Sequence, residues 1–365
     1  MTERTRILTP RFAPIPPPEF EAIVDTPVAV SHLLTILGWR RDSQSPGEQA
    51  LIDTYLAPLG MEEDGYGNLF LTLPGADGEE PNVAFTAHTD TVHCDIPDQM
   101  VDVTQALSLH HDGLVVGVTH NQCLGADDGT GVWILLNMIQ AGVPGLYCFF
   151  RDEESGRNGS EWSARHEPLR YAGIDIMISF DRAGTTDIIT HQMSERCCSE
   201  VFAERLADAL TPDGYLQADP TGSFTDSYSF LDLIPECTNV SVGYNAQHSK
   251  AETQDLTWVT YLVNQLIAVD FAALPVARDP SVADEASCTM PDLIESFPDE
   301  IADLLETFYG MTARDLVRHL ADEYAVRPGD IEDRVAFDQQ LRRQDSLDLY
   351  PTDYEDDRDD PYTFT

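Results

Sequence analysis

Two hydrophobic periodicities alternate along the chain between residues 27 and 273. Short apolar runs such as "NVAFTAH" and "GLYCFF" predict buried strands, whereas the longer stretches "GTGVWILLNMIQAG" and "LTWVTYLVNQLIAVDFAAL" predict helices, the first of them ending at Gly142. The other predicted helices are 28–39, 47–60, 159–166 and 199–210, and the other predicted strands are 67–73, 174–180, 186–190 and 238–244. Because this alternation is typical of a sheet with helices on both faces, we expect an α/β fold: a three-layer α/β/α domain with a mostly parallel mixed sheet.

The segments that flank this domain have different compositions. Residues 1–26 form a Pro-rich arm, in which "PIPPPEF" favours the polyproline II conformation. Residues 275–292 have the composition of a linker, residues 293–343 predict a small helical region, and residues 344–365 form an acidic tail. The pattern therefore places the main folded domain at residues 27–274.

The net charge is extreme, because 64 acidic residues oppose 21 basic ones and give a formal charge of −43 at pH 7. A surface this acidic repels phosphate groups, so nucleic acid and anionic membranes are poor partners. No apolar run is long enough to span a membrane, and the N-terminal segment lacks the apolar core of a signal peptide, so we expect a cytoplasmic protein. Seven cysteines without CxxC spacing favour reduced thiols over a disulfide framework.

The acidic surface also predicts adaptation to high salt. At about 1 M salt the Debye length shrinks to about 3 Å, which screens the repulsion between carboxylates. We expect dialysis into low salt to unfold the protein, and the loss of helical circular dichroism measures it. Unchanged stability in low salt would indicate that the charge is concentrated in the acidic tail, although "MEEDG", "GADGEE" and "PDEIAD" lie outside that tail.

Residues with metal-ligating side chains follow the first predicted strands. In "FTAHTDT", His88 and Asp90 are two residues apart, so one can ligate a metal while the other orients it; a histidine in a hydrogen-bonded turn is the alternative. In "CLGADDGTGV", Asp127 and Asp128 precede a helix, where aspartate also serves as an N-cap. The glycines on both sides of this pair suggest that the backbone approaches a bound group closely, and a metal fits.

Carboxylates and a histidine also follow the later strands. "RDEESGRNGS" places three acidic residues, 152–154, directly after the strand "GLYCFF", although a surface turn before a helix has a similar composition. Asp181 follows the strand "IDIMISF", and His248 follows "TNVSVGY". Buried carboxylates and imidazoles at the end of a sheet require compensation by opposite charge. Their recurrence at successive strand ends therefore predicts a cation site.

The ordered motifs HxD, GADD, DEExG, FD and a late His after "SVGYNA" resemble the co-catalytic zinc exopeptidases of clan MH, closest to the lidless single-domain aminopeptidases. The resemblance covers about residues 27–273 and implies a site for two zinc ions per chain. It implies five zinc ligands: Asp127 bridging both ions, His88 and Asp181 on one ion, and Glu154 and His248 on the other. It also implies that Glu153 is the general base and acid, and that Asp90 orients His88.

Other features of the chain refine this resemblance. The short span between Asp181 and His248 leaves no room for the extra domain that some clan members insert there, and Gly129 follows the paired aspartates where those relatives often have Lys. Both features favour the lidless members. Arg182 could receive a substrate carboxylate or form a structural ion pair. Asp226, in a segment that resembles the one before the last strand of those aminopeptidases, could contact substrate or cap a helix.

The resemblance implies a zinc-dependent exopeptidase, and we expect an aminopeptidase that hydrolyses peptide bonds through a metal-bridging hydroxide. Two zinc ions carry four positive charges, which Asp127, Glu154, Asp181 and one hydroxide balance when both histidines are neutral. The expected substrate is a peptide or a small acylated amine. A carboxypeptidase or deacylase on the same scaffold is an alternative, and a non-catalytic binding or assembly protein with this fold is another.

Overall fold

The computed structural model of the chain describes residues 6–8 and 26–281, apart from residues 94–102, 112–113, 120–121, 194 and 213. The chain divides into two units, residues 1–284 and 285–365. The predicted helical region 293–343 and the acidic tail 344–365 lie outside the described residues, as do most of the Pro-rich arm and of the linker. The predicted domain boundaries therefore stay predictions.

The main domain contains helices and strands in alternation. In the described part of the chain the helices are α1 (Val30–Leu37), α2 (Pro46–Leu51), α3 (Ala126–Ala141), α4 (Asn158–His166), α5 (Glu200–Leu210) and α6 (Leu256–Ala268). The strands are β1 (Arg6–Leu8), β2 (Glu62–Glu63), β3 (Leu69–Leu73), β4 (Val83–His88), β5 (Leu107–His110), β6 (Val115–Val118), β7 (Gly145–Phe150), β8 (Ile176–Arg182), β9 (Asp187–Ile189), β10 (His191–Gln192), β11 (Glu195–Arg196), β12 (Gln217–Asp219), β13 (Glu236–Ser241), β14 (Tyr244–Asn245) and β15 (Thr253–Asp255). Among the described residues, no helix is both long and apolar enough to cross a bilayer.

The main sheet has eight strands in the order β12-β9-β13-β8-β4-β7-β3-β2. Strands β13, β8, β4 and β7 at its centre run parallel to one another, whereas β3 and β2 at one edge are antiparallel. Every residue of β4 and β7 is buried, as expected for strands with helices or loops on both faces. The predicted α/β fold with a mostly parallel mixed sheet is confirmed.

Successive residues of the central strands belong to two separate hydrophobic clusters. Phe85 and Phe149 belong to the larger cluster, together with apolar residues of α1, α3, α5 and α6. Their neighbours Ala84 and Phe150 belong to a smaller cluster that includes Phe230. Because successive side chains of a strand point to opposite faces, each cluster covers one face of the sheet. This packing gives the domain its three layers.

A second sheet of five strands has the order β1-β5-β6-β15-β14 and is antiparallel throughout. The pattern of "SLHHDGLVVGV" predicts the β5–β6 hairpin of this sheet, but β14 and β15 are too short to show a period of two. In the Pro-rich arm, Arg6–Leu8 forms a strand that pairs with β5, whereas "PIPPPEF", for which polyproline II is predicted, lies outside the described residues. The pairing of β14 with β15 closes the loop of residues 246–252, which carries His248.

Candidate metal centre

The candidate ligands meet at the carboxyl ends of the central strands. His88 is the last residue of β4, Asp181 lies near the end of β8, and Glu154 follows β7 by four residues. Because β7, β4 and β8 are parallel neighbours, their carboxyl ends meet at the same edge. His248 reaches this edge from the loop after β14, and Asp127 reaches it from the start of α3.

Two groups of ligand atoms form at this edge, and Asp127 belongs to both. The first group is His88, Asp127 and Asp181, and the second is Asp127, Glu154 and His248; within each group the ligand atoms lie within 4.8 Å of one another. His88 Nε2 is 3.1 Å from Asp127 Oδ1, and His248 Nε2 is 3.2 Å from Asp127 Oδ2. The two oxygens of Asp127 therefore face different histidines, as a residue bridging two cations requires.

Asp90 orients both His88 and the acidic loop after β7. The backbone carbonyl of Asp90 lies 2.9 Å from His88 Nδ1, while its carboxylate oxygen lies 3.6 Å from the same atom. The carboxylate instead accepts the backbone N–H groups of Glu153 and Glu154 at 3.1 and 3.3 Å. Asp90 therefore contacts His88 mainly through its backbone carbonyl, because its carboxylate is hydrogen-bonded to the acidic loop.

The three consecutive carboxylates after β7 have three different environments. Asp152 turns away from the ligand groups and accepts hydrogen bonds from the hydroxyls of Ser43 and Tyr66. Glu153 lines the cavity, and Glu154 Oε1 lies 2.9 Å from His248 Nε2. The turn that separates them is closed by Gly156, whose φ of +102° favours glycine. The three carboxylates therefore point in different directions, which separates their like charges.

Asp127 and Asp128 also divide two tasks. Asp128 Oδ1 accepts the backbone N–H of Gly131 at 2.9 Å, which is the bond of an N-cap residue, and its Oδ2 accepts the N–H of His88 at 3.1 Å. Asp127 has non-helical backbone angles and projects its carboxylate toward the two histidines. The helix-cap interpretation therefore applies to Asp128, and Asp127 stays the candidate metal ligand.

A buried guanidinium, rather than a metal, explains one of the glycines beside that pair. A Cβ atom on Gly129 would lie 2.6 Å from Nη2 of Arg41. Arg41 is fully buried, and its guanidinium donates to the carbonyls of Ile36 and Gly125, at 2.7 Å each. Gly125 has a φ of +73°, which favours glycine by itself. The expectation that these glycines make room for a metal is therefore wrong.

Asp181 is held by residues that the sequence did not single out as ligand supports. Asn239 of β13 accepts the backbone N–H of Asp181 at 2.8 Å and donates to its carbonyl at 2.7 Å. The hydroxyl of Tyr244 donates to Oδ1 at 2.9 Å, and that of Thr225 donates to Oδ2 at 2.7 Å. These bonds fix the carboxylate orientation. Asn239 and Tyr244 lie in the predicted strand "TNVSVGY", but nothing in the sequence distinguishes Thr225 from other threonines.

The electrostatics of the site favour positive charge. Burial raises the pKa of Glu153 well above its usual value, and the charges of Asp181 and Glu154 raise it further. Hydrogen bonds to Asp127 and Glu154 raise the pKa of His248 to about 11. Protons bound to carboxylates or histidines therefore reduce the negative charge of the site, and a divalent cation can replace those protons.

A cavity of about 330 Å³ opens onto these residues, and Arg182, Phe224 and Tyr244 contribute to its wall. Arg182 Nη2 is 3.0 Å from Asp187 Oδ2, so it forms the structural ion pair that was the alternative to carboxylate binding. Asp226 is 1% exposed and lies outside the residues that line the cavity, and its side chain makes no helix cap. The helix-capping alternative is therefore not observed, and substrate contact by Asp226 stays a prediction.

Comparison with known proteins shows which solved structures share this fold. No family model and no curated protein matches the sequence. Among solved structures, the tripeptidase from Staphylococcus aureus matches 67% of this chain and 97% of its own, with 13% identity and a TM-score of 0.53. The aminopeptidase PepT from Bacillus cereus matches 67% and 98%, with 14% identity and a TM-score of 0.51. The TET1 peptidase of Pyrococcus horikoshii matches 65% and 98%, with 17% identity and a TM-score of 0.50. The chain therefore shares the fold of these peptidases.

The donor set of the two ligand groups suits a divalent transition metal. Imidazole nitrogens and carboxylate oxygens are the ligands that such ions take in catalytic sites. The His88 ring has a backbone carbonyl on Nδ1, the arrangement usual for metal-bound histidines, and this leaves Nε2 to face the ligand carboxylates. Asp127, Glu154 and Asp181 cluster at the cavity, where Arg182 is already paired with Asp187. Divalent cations at the two ligand groups would compensate this charge.

Proposed function

We propose that this protein is a zinc-dependent aminopeptidase with two ions per chain. The observation that supports this most strongly is the pair of ligand groups sharing Asp127, with Glu153 in the same cavity. The ligand carboxylates Asp127, Glu154 and Asp181 carry three negative charges, so one hydroxide would complete the balance for two divalent ions. Elemental analysis should find two zinc ions per chain, and anomalous scattering at the zinc edge should locate them at these ligands.

The chemistry divides between the ions and the residues of the chain. Two ions at these ligands would polarise the scissile carbonyl and lower the pKa of a bound water molecule to about 7. Glu153 would accept the proton of the attacking water and deliver it to the leaving amine. Its backbone is fixed by Asp90, and its carboxylate is in neither ligand group, so it is available for proton transfer. Burial raises the pKa of Glu153, which moves it toward the range that general acid and base catalysis uses.

An assay with blocked and unblocked peptides tests the proposed specificity. We expect hydrolysis of peptides with a free α-amine and loss of turnover when that amine is acetylated, with the release of N-terminal residues measured by chromatography. Persistent turnover of acetylated peptides would favour the carboxypeptidase or deacylase alternative. The ion pair of Arg182 with Asp187 speaks against that alternative, because it occupies a guanidinium of the cavity wall that could bind a substrate carboxylate.

A non-catalytic binding protein is the other alternative. It requires neither a proton acceptor in the cavity nor paired ligand groups, yet both occur here. A wild-type protein that binds no metal, or that binds metal and hydrolyses no peptide, would favour this alternative over the proposed enzyme.

A further inference from the structure

The carboxylate of Glu252 is buried beneath the turn that carries Asp127. Its side chain makes four hydrogen bonds with consecutive backbone N–H groups: Leu124 at 2.7 Å and Gly125 at 3.0 Å on Oε2, and Ala126 at 2.8 Å and Asp127 at 3.2 Å on Oε1. Glu252 is 2% exposed, so water contributes little to satisfying these groups. Four donors from consecutive residues converge on this one side chain, so it defines the shape of the turn.

Glu252 also belongs to the loop that carries His248. That loop runs from β14 to β15, and it is closed by the pairing of Asn245 with Thr253 and by the bond from the N–H of Glu252 to the carbonyl of Ser249 at 3.2 Å. Glu252 lies four residues after His248 and immediately before β15. A single side chain therefore joins the loop of one ligand to the turn of another.

We propose that Glu252 is a positioning residue that couples these two ligand loops and so sets the affinity of the site for both metal ions. Both oxygens are engaged by backbone N–H groups, so Glu252 is not itself a ligand. Loss of its carboxylate frees the Asp127 turn, which serves both ligand groups, and releases the loop of His248, which serves the second group. The inference rests on the metal centre of the proposed function but not on its peptidase activity.

The alternative is that Glu252 is an ordinary buried carboxylate that stabilises the fold alone. Glu236 offers a matched comparison, because it is fully buried and also accepts four hydrogen bonds. Its donors are the N–H and hydroxyl of Ser199, at 2.6 and 2.8 Å, and the N–H groups of Ala277 and Arg278, at 2.6 and 3.0 Å. None of these donors is a candidate ligand or a neighbour of one.

The test compares zinc binding by the wild type, Glu252→Gln and Glu236→Gln. Each protein is stripped of metal and titrated with zinc against a chelating competitor, and Tm is measured on the same samples. The amide keeps one oxygen but places NH₂ against N–H donors, so both variants should lose Tm. We expect Glu252→Gln to bind zinc about 10- to 100-fold more weakly, the range for residues that orient metal ligands. Glu236→Gln should keep the wild-type affinity.

Equal zinc affinities in Glu252→Gln and the wild type, or equal weakening in both variants, would overturn the inference. If Glu252→Gln does not fold, Glu252→Asp replaces it: the charge is kept, but the shorter side chain cannot reach all four donors, so weaker zinc binding is still expected. The activity assay separates the two proposals. A wild type that binds zinc but hydrolyses no peptide contradicts the proposed function alone, whereas unchanged zinc affinity in an active Glu252 variant contradicts this inference alone.

Discussion

Replacement of Glu153 by glutamine should reduce kcat on an unblocked peptide by about 10²- to 10⁴-fold, the usual contribution of a positioned general acid and base. The amide has nearly the same shape but cannot accept the proton of the attacking water. Because Glu153 belongs to neither ligand group, the variant should keep its metal. Steady-state kinetics and elemental analysis of the same preparation provide the measurement.

The neighbouring residue supplies the control for this experiment. Glu154→Gln changes the same functional group one position away, but Glu154 Oε1 lies 2.9 Å from His248 Nε2 within the second ligand group. We expect this variant to lose metal and activity together. Near-normal turnover by Glu153→Gln, or metal loss in that variant, would contradict the roles that we propose for the two residues.

Removal of the metal should lower Tm and change the sign of its dependence on pH. At a free zinc concentration of about 1,000 times Kd, one ion stabilises the folded state by about 4 kcal/mol. For a domain of this size that free energy corresponds to about 8–16 °C in Tm. Scanning calorimetry of the stripped and reloaded protein, at pH values from 5.5 to 8, measures both effects.

The sign of the metal-free pH dependence follows from the raised pKa values. His248 has its pKa raised to about 11 by hydrogen bonds to Asp127 and Glu154, whereas an unfolded histidine titrates near 6.5. Burial raises the pKa of both Asp226 and Glu252 to about 7, well above the unfolded value of a carboxyl group. In each case the folded state binds more protons, so the free energy of unfolding falls as pH rises through this interval.

The metal-loaded protein should behave in the opposite way. Its histidines are held neutral as ligands, while the unfolded chain protonates them below about pH 6.5, so the free energy of unfolding rises with pH up to that value. Metal occupancy should also fall as the pH drops, because protons compete with the ions for the ligand side chains. Retention of zinc at pH 4.5, or Tm values with the same pH slope in both forms, would contradict His88 and His248 as ligands.

For the candidate site, the sequence predicted the types of the residues and their positions at the ends of strands. His88, Glu154 and Asp181 follow apolar strands, and parallel strands bring their carboxyl ends to one edge, so their meeting follows from the alternation of helices and strands. The assignment of the adjacent Glu153 and Glu154 to different roles came from the family resemblance. Hydrophobic periodicity carries no information on which way each side chain of a turn points.

Several supports of the site could not be predicted, because they depend on contacts between distant segments. Asp90 uses its carboxylate for the loop after β7, 63 residues away, and Glu252 holds the Asp127 turn from 125 residues away. Arg41 occupies the space beside Gly129 that the sequence suggested for a metal. Such contacts produce no periodic pattern in the sequence, because a buried carboxylate or guanidinium can form hydrogen bonds with whichever backbone groups lie near it.

The sequence by itself determined the three-layer architecture and the set of residues able to bind cations, because both follow from local hydrophobic pattern and from side-chain chemistry. Only the tertiary structure decided how those residues divide the work: Asp128 caps α3 while Asp127 faces both histidines, and Arg182 pairs with Asp187. The physical reason is that the direction of a side chain and the compensation of its charge depend on residues that are close in space. Only the folded chain brings those residues together.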